Sequence, residues 1–94
     1  MKSITVTELK ELLKKSNINL LDVREVDEYA QSHIDQATLL PLSTFPKAIE
    51  TLDKNDTYYL ICRSGRRSVQ AGIMMEDEGF EVINVKGGML EFYE

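Results

Sequence analysis

The chain has 94 residues, of which 43% are hydrophobic and 29% charged, and its formal net charge is -5 at pH 7. This length and balance predict one soluble globular domain over residues 1–94, with a core too small to divide in two. The acidic balance argues against non-specific nucleic-acid binding, and no apolar run approaches the roughly 20 residues of a membrane span.

The chain has one cysteine, Cys62, and one histidine, His33. A single cysteine cannot form an internal disulfide, and the first residues lack the apolar stretch of a signal peptide, so we expect a cytoplasmic protein. One cysteine, one histidine and scattered carboxylates form no metal-ligand set of recognised spacing, and an isolated Gly-Gly pair is not a nucleotide-binding motif. We therefore expect no metal and no other cofactor.

Short apolar runs alternate with longer stretches of helical periodicity, which predicts an α/β domain with a mainly parallel sheet. Five strands are expected, at about residues 4–6, 20–23, 37–40, 57–61 and 82–85. The run 57–61 is rich in aromatic and β-branched residues, so it is the best candidate for the centre of the sheet.

Helical segments are expected between these strands. The first is expected to begin after a cap at Thr7, and another to begin at residues 43–46. The other three are expected over residues 25–31, about 68–78 and 89–93. Pro46 suits a first helical turn, in a helix that carries Ile49 and Leu52 on its apolar face. Gly79 suits the position just after a helix end.

Polar segments follow three of the predicted strands. Asp22 and Arg24 follow the second strand, residues 62–67 follow the fourth and residues 86–88 follow the fifth. Because ligands bind at the carboxyl ends of parallel strands, we expect these segments to meet at one edge of the sheet. We interpret Asp22 and Arg24 as a strand-end ion pair or hydrogen-bond anchor that supports the site.

The segment after the fourth strand is the most informative one in the chain. Three of the four arginines, Arg63, Arg66 and Arg67, lie within five residues of Cys62. Nearby cations and the N–H groups at a helix start favour a thiolate, which is the nucleophilic form of cysteine. A strand, a loop containing Gly65 and a helix start also make an anion cradle. The alternative is that Cys62 is a buried strand-end residue that behaves as a small hydrophobe.

The chain resembles a rhodanese domain in segments that follow one another in the family's order, from about residue 4 to residue 93. These segments are Leu21-Asp22-Val23-Arg24-Glu25, Glu28-Tyr29, His33-Ile34, Cys62-Arg63-Ser64-Gly65-Arg66-Arg67-Ser68 and Val85-Lys86-Gly87-Gly88-Met89. Several motifs in register are far more specific than any one of them.

The resemblance implies a three-layer α/β fold, with a five-stranded, mainly parallel sheet flanked by helices. It also implies a sulfurtransferase of the thiosulfate:cyanide type, in which Cys62 takes a sulfane sulfur from thiosulfate or a persulfide and passes it to a thiol or cyanide. The implied donor-binding residues are Arg63, Ser64, Gly65, Arg66 and Arg67. The expected partners are a small anionic sulfur donor and, in a sulfur relay, a protein thiol or persulfide; no nucleic acid and no membrane is expected.

The chain departs from the family pattern in the segment around His33. Where the family has Gly-His-Ile-x-Gly-Ala-x-Asn, this chain reads Ser32-His33-Ile34-Asp35-Gln36-Ala37-Thr38-Leu39, without either glycine or the asparagine. These positions shape a turn, so the change affects local geometry more than chemistry. We interpret His33 as structural. Phe92 stands where a tryptophan is common in the family.

Two other functions stay open. A cysteine phosphatase or an arsenate reductase also places a thiolate in a strand-loop-helix cradle, but its loop follows Cys-x5-Arg, and here Ser68 occupies the arginine position. Rhodanese folds also serve as non-catalytic binding or regulatory modules, since a fold does not fix a function. Such modules often lose the loop cysteine, which this chain keeps.

Overall fold

The computed structural model describes residues 1–93, which form one five-stranded sheet and four α-helices. The expected domain over residues 1–94 includes Glu94, which lies outside the described residues. The strands are β1 (Lys2–Ile4), β2 (Asn19–Asp22), β3 (Ala37–Leu39), β4 (Thr57–Ile61) and β5 (Glu81–Val85). The helices are α1 (Val6–Lys15), α2 (Val26–Gln31), α3 (Arg66–Asp77) and α4 (Gly88–Phe92).

All strands pair in parallel, in the order β1-β5-β4-β2-β3. Helices α1 and α4 pack on one face of the sheet, and α3 packs on the other. The predicted α/β fold with a parallel sheet flanked by helices is therefore confirmed, and β4 is the central strand as its composition predicted. Among residues 1–93 the longest helix, α3, has 12 residues, and no helix is long and apolar enough to cross a membrane.

Both faces of the central strand β4 are buried, which explains its almost continuous apolar sequence. Tyr58, Leu60 and Cys62 contribute to the core on the α3 face, whereas Ile61 contributes to the core on the α1 and α4 face. Side chains alternate between the faces of a strand. This alternation places the sulfur of Cys62 on the face where α3 begins.

The predicted positions of the first strand and of the first helix cap are wrong by about two residues. The first strand was expected over residues 4–6 and the helix cap at Thr7, but β1 ends at Ile4 and α1 begins at Val6. The reason is a capping box at Thr5, whose Oγ1 accepts the Glu8 N–H (3.1 Å) while the Glu8 carboxylate accepts the Thr5 N–H (3.0 Å). These reciprocal bonds satisfy two N–H groups at the helix start that Thr7 would leave unpaired.

The segment that follows β3 is also less regular than predicted. A single helix was expected from residues 43–46 onward, but the chain forms two short 3-10 helices, Leu42–Thr44 and Lys47–Thr51. Pro46 between them has no N–H to donate, so no continuous helical ladder can cross it. Ile49 is nevertheless buried at 2% exposure, because the second 3-10 helix packs it into the core on the α3 face.

Candidate active site

Cys62 directly follows β4, at the carboxyl edge of the sheet. Its sulfur accepts two backbone N–H groups, from Gly65 at 3.1 Å and from Ser68 at 3.4 Å. The Ser68 hydroxyl lies 3.4 Å from the same sulfur. Donor groups that converge on one atom stabilise negative charge there. The loop and the first turn of α3 therefore each direct one N–H donor at Sγ, although Cys62 itself is only 1% exposed.

Gly65 sets the shape of this loop. Its φ of 101° lies in the left-handed region that glycine adopts without steric cost. In this conformation Gly65 caps α3, and the helix begins at Arg66, two residues earlier than predicted. The positive end of the α3 dipole is thus directed toward the sulfur.

A buried polar chain supports the sulfur from behind. Ser68 is fully buried, and its Oγ donates a hydrogen bond of 2.5 Å to Oδ1 of Asn84, which is 6% exposed. The hydroxyl proton of Ser68 is used in this bond, so Oγ presents a lone pair to Cys62. The two backbone N–H groups therefore supply the donors at Sγ, and the Ser68 to Asn84 bond fixes the residue that carries one of them.

The turn between β5 and α4 holds the outer side of the same loop. The Met89 N–H donates to the carbonyl oxygen of Cys62 (2.8 Å), and the Leu90 N–H donates to that of Arg63 (3.0 Å). The first N–H groups of α4, which have no partner within their helix, thus pair with carbonyls of the loop. Gly88 makes this approach possible because it brings no side chain between the two backbones.

Asp22 and Arg24 form the ion pair that the sequence predicted. Both are buried, and the Arg24 Nε and Nη2 atoms donate to the Asp22 carboxylate at 2.7–3.1 Å. Hydrogen bonding to Asp22 is the main cause that raises the pKa of Arg24. Nη2 of Arg24 also donates to the carbonyl of Ser32 (2.8 Å), which ties the segment after α2 to the end of β2.

The three arginines of the loop differ in their surroundings. Arg63 and Arg66 are exposed, as is Ser64. Arg67 instead donates two hydrogen bonds to Glu28 of α2, at 2.6 and 2.8 Å. The structure therefore brings all the predicted donor-binding residues to one edge, but it pairs one of their three charges with an acid.

A family model for the rhodanese-like domain matches residues 5–94. The chain belongs to the rhodanese-like domain family. Protein YtwF of Bacillus subtilis (strain 168) is 40% identical over 91 residues, which cover 96% of this chain and 88% of YtwF. Thiosulfate sulfurtransferase PspE of Escherichia coli (strain K12) is 35% identical over 71 residues, which cover 73% of this chain and 68% of PspE.

The fold comparison agrees with the family match. The crystal structure of a rhodanese-like domain protein from Staphylococcus aureus matches with a TM-score of 0.92 and 39% identity, and the match covers 98% of this chain and 91% of that one. Together with relatives named as sulfurtransferases, this similarity supports a sulfurtransferase of the rhodanese type in general terms.

His33 has a structural placement in this rhodanese-like domain. Its ring stacks on Tyr29 with centroids 3.8 Å apart, and Nδ1 lies 2.8 Å from the Tyr29 carbonyl oxygen. The turn that lacks the family's glycines still buries Ile34 and Ala37 in the core. Within residues 1–93, no group of three or more His, Cys, Asp or Glu side chains is placed to hold a metal ion.

Two polar residues of the site were not singled out from the sequence. Asn84 was visible only as a polar interruption in the apolar run of β5, and this could have marked a buried hydrogen bond. Glu28 appeared in a quoted motif, but no local pattern pointed to a partner 39 positions away.

The pairing of Glu28 with Arg67 predicts a pH-dependent contribution to stability. Hydrogen bonds from Arg67 are the main cause that lowers the pKa of Glu28 from 4.5 to about 2. A carboxyl with a depressed pKa in the folded state stabilises that state above its ordinary pKa, and this stabilisation is lost as the pH falls through the lower value.

We therefore expect the stability advantage of wild type over Glu28→Gln to be constant above pH 4.5 and to shrink as the pH falls toward 2. Urea unfolding of both proteins across this range measures it. Asp27→Asn, which changes the neighbouring exposed carboxylate of the same helix, is the control and should show no comparable trend. An advantage that does not change down to pH 2 would contradict the assigned pairing.

Proposed function

We propose that the protein is a sulfurtransferase that carries a sulfane sulfur as a persulfide on Cys62. The observation that supports this most strongly is the convergence of the Gly65 and Ser68 N–H groups on Sγ, at 3.1 and 3.4 Å. These donors can stabilise the Cys62 thiolate that attacks the sulfur donor and that is restored when the sulfur is passed on. No metal or organic cofactor is needed for this chemistry.

The proposed reaction has two displacements at sulfur. With thiosulfate, the Cys62 thiolate attacks the outer sulfur, a new S–S bond forms, and sulfite leaves with the electron pair of the broken bond. With cyanide as the acceptor, its carbon attacks the outer sulfur of the persulfide, thiocyanate leaves, and the Cys62 thiolate is restored. Covalent catalysis of this kind divides one difficult transfer into two easier steps.

One observation favours a second candidate, a non-catalytic binding module. Cys62 is 1% exposed and belongs to the core cluster that contains Leu60 and Met75. A donor must reach a sulfur that the loop almost covers. A cysteine phosphatase has less support, because Ser68 is turned inward to Asn84 and stands where the phosphatase loop needs its arginine.

Intact-protein mass spectrometry separates the two candidates. After incubation with thiosulfate, we expect wild type to gain about one sulfur atom, roughly 32 Da, and to lose it when cyanide is added. Since Cys62 is the only cysteine in the chain, a gain removed by cyanide assigns the sulfur to that residue. A folded wild-type protein that gains no mass from thiosulfate or from glutathione persulfide would favour the binding module.

The exposed arginines of the loop are expected to attract an anionic donor. We predict that Arg63→Ala or Arg66→Ala lowers kcat/KM for thiosulfate, with at least one of them losing about tenfold, or 1.4 kcal/mol. Lys54→Ala is the matched control, because it removes one positive charge before β4, at the opposite edge of the sheet. Wild-type kcat/KM in both arginine variants would refute the role of these charges.

A further inference from the structure

Glu28 occupies the donor face of Arg67. Nη1 of Arg67 donates to Oε1 at 2.6 Å, and Nη2 donates to Oε2 at 2.8 Å, so the pair is bidentate. An arginine fork binds a sulfonate-like anion through the same two parallel N–H groups. While the pair is closed, these groups of Arg67 are not available to a donor.

The Glu28 carboxylate is held in place from its own helix. The Glu25 N–H at the start of α2 donates to Oε1 of Glu28 at 3.0 Å. The side chains of Glu28 and Arg67 are 27% and 32% exposed, so water reaches the pair only in part. The carboxylate is therefore a fixed feature of the loop's surroundings rather than one rotamer of a free side chain.

The pair changes the charge that the loop offers to a ligand. Among residues 1–93, Arg24 and Arg67 each have a carboxylate partner, whereas Arg63 and Arg66 form no ion pair within 4.0 Å. Two guanidinium charges of the loop, rather than three, remain for a donor. This difference matters most for a donor that carries two negative charges.

We propose that Glu28 is a specificity-determining residue, which holds Arg67 away from dianionic donors such as thiosulfate and thereby favours persulfide donors. The inference rests on the proposed function and adds the class of donor. Attack of the Cys62 thiolate on thiosulfate brings three negative charges together, and they must be stabilised by cations in the loop.

A persulfide donor needs less positive charge. The Cys62 thiolate attacks the outer sulfur of R–S–SH, a new S–S bond forms, and R–S⁻ leaves with the electrons of the broken S–S bond. When R is uncharged and the persulfide is protonated, the proton stays on the transferred sulfur, and the total charge remains one unit negative throughout. Two exposed arginines and the N–H groups of the loop are sufficient for this reaction.

The test compares donors in wild type, Glu28→Gln, Arg67→Gln and the double variant. The amide that Glu28→Gln introduces keeps an oxygen for the Glu25 N–H but has no charge to hold Arg67. We expect Glu28→Gln to raise kcat/KM for thiosulfate by about tenfold, with kcat/KM for mercaptoethanol persulfide, whose R group carries no charge, nearly unchanged. Added salt should reduce the gain, since part of it comes from charge attraction.

The double variant and a charge-matched control decide how Glu28 acts. In the Arg67→Gln background, Glu28→Gln should raise thiosulfate use by at most about twofold, because the fork that it releases is absent. Asp27→Asn removes a neighbouring carboxylate of α2 and should leave kcat/KM unchanged for both donors. The inference would be overturned if Glu28→Gln raised kcat/KM for thiosulfate about tenfold in the Arg67→Gln background as well. An equal rise in Asp27→Asn would also overturn it.

Failure of the inference differs from failure of the proposed function. If Glu28→Gln folds and loads sulfur on Cys62 but uses thiosulfate no better than wild type, Glu28 does not set the selectivity, and the sulfurtransferase proposal stands. If neither donor loads sulfur on Cys62 in wild type or in Glu28→Gln, the sulfurtransferase proposal itself is wrong, and the inference is wrong with it.

Discussion

Cys62→Ser is expected to abolish sulfur transfer while the domain stays folded. The substitution removes the nucleophile but keeps a small side chain at a position that is 1% exposed. The new hydroxyl oxygen can accept the N–H groups of Gly65 and Ser68 that now point at sulfur. Since these donors stay paired, we expect a loss of stability of no more than about 2 kcal/mol.

Two measurements on the same sample check this result. Thiocyanate formation from thiosulfate and cyanide should fall to the rate without protein, and circular dichroism should give a cooperative unfolding transition close to that of wild type. Gln70→Ala, an exposed change in α3 close to the same loop, is the control for general disturbance. If Cys62→Ser retained sulfur transfer, the nucleophile would be another residue. If Cys62→Ser failed to fold, the role of Cys62 would be structural.

The segments that the sequence predicted well are those whose local pattern determines their structure. The strand over residues 57–61 has the predicted bounds, because an apolar, β-branched run between turn residues fits only the centre of a sheet. The other strands after residue 15 differ from prediction by at most one residue at either end. Gly65, recognised as a turn residue, does adopt a positive φ.

The features that the sequence did not predict depend on contacts between distant segments. Arg67 looked like a free cation, and its partner Glu28 becomes its neighbour only when α2 is placed beside the start of α3. The same holds for Ser68 of α3 and Asn84 of β5, which are 16 positions apart and meet because α3 packs against β5. Periodicity predicts which elements form, but such contacts follow from how the elements are arranged.

Gly88→Ala is expected to destabilise the domain strongly and to displace the loop around Cys62. A Cβ atom at position 88 would lie 2.3 Å from the Cys62 carbonyl oxygen and 2.6 Å from that of Arg63, far inside normal contact distance. The neighbouring atoms are backbone, so no side chain can turn away to make room. The φ of 58° at Gly88 adds the cost of a left-handed conformation to an alanine.

The clash also breaks the hydrogen bonds that hold the loop. Room for the new methyl group requires α4 to move away from the loop, which lengthens the bonds from the Met89 and Leu90 N–H groups to the Cys62 and Arg63 carbonyls. We expect a loss of about 3 kcal/mol or more, with a decrease in Tm of more than about 10 °C. Sulfur transfer should fall even at temperatures where the variant is folded, because the position of Sγ depends on the same loop.

Gly79→Ala separates the clash from the cost of the backbone conformation. Gly79 also has a positive φ, of 93°, but a Cβ there would meet only Cδ of the Lys54 side chain, at an ordinary contact distance of 3.9 Å. We expect Gly79→Ala to cost about 1 kcal/mol and to leave sulfur transfer unchanged at temperatures where it is folded. Equal losses of stability in the two variants would mean that backbone conformation alone explains Gly88. Close contact of α4 with the loop would then not be what positions the sulfur.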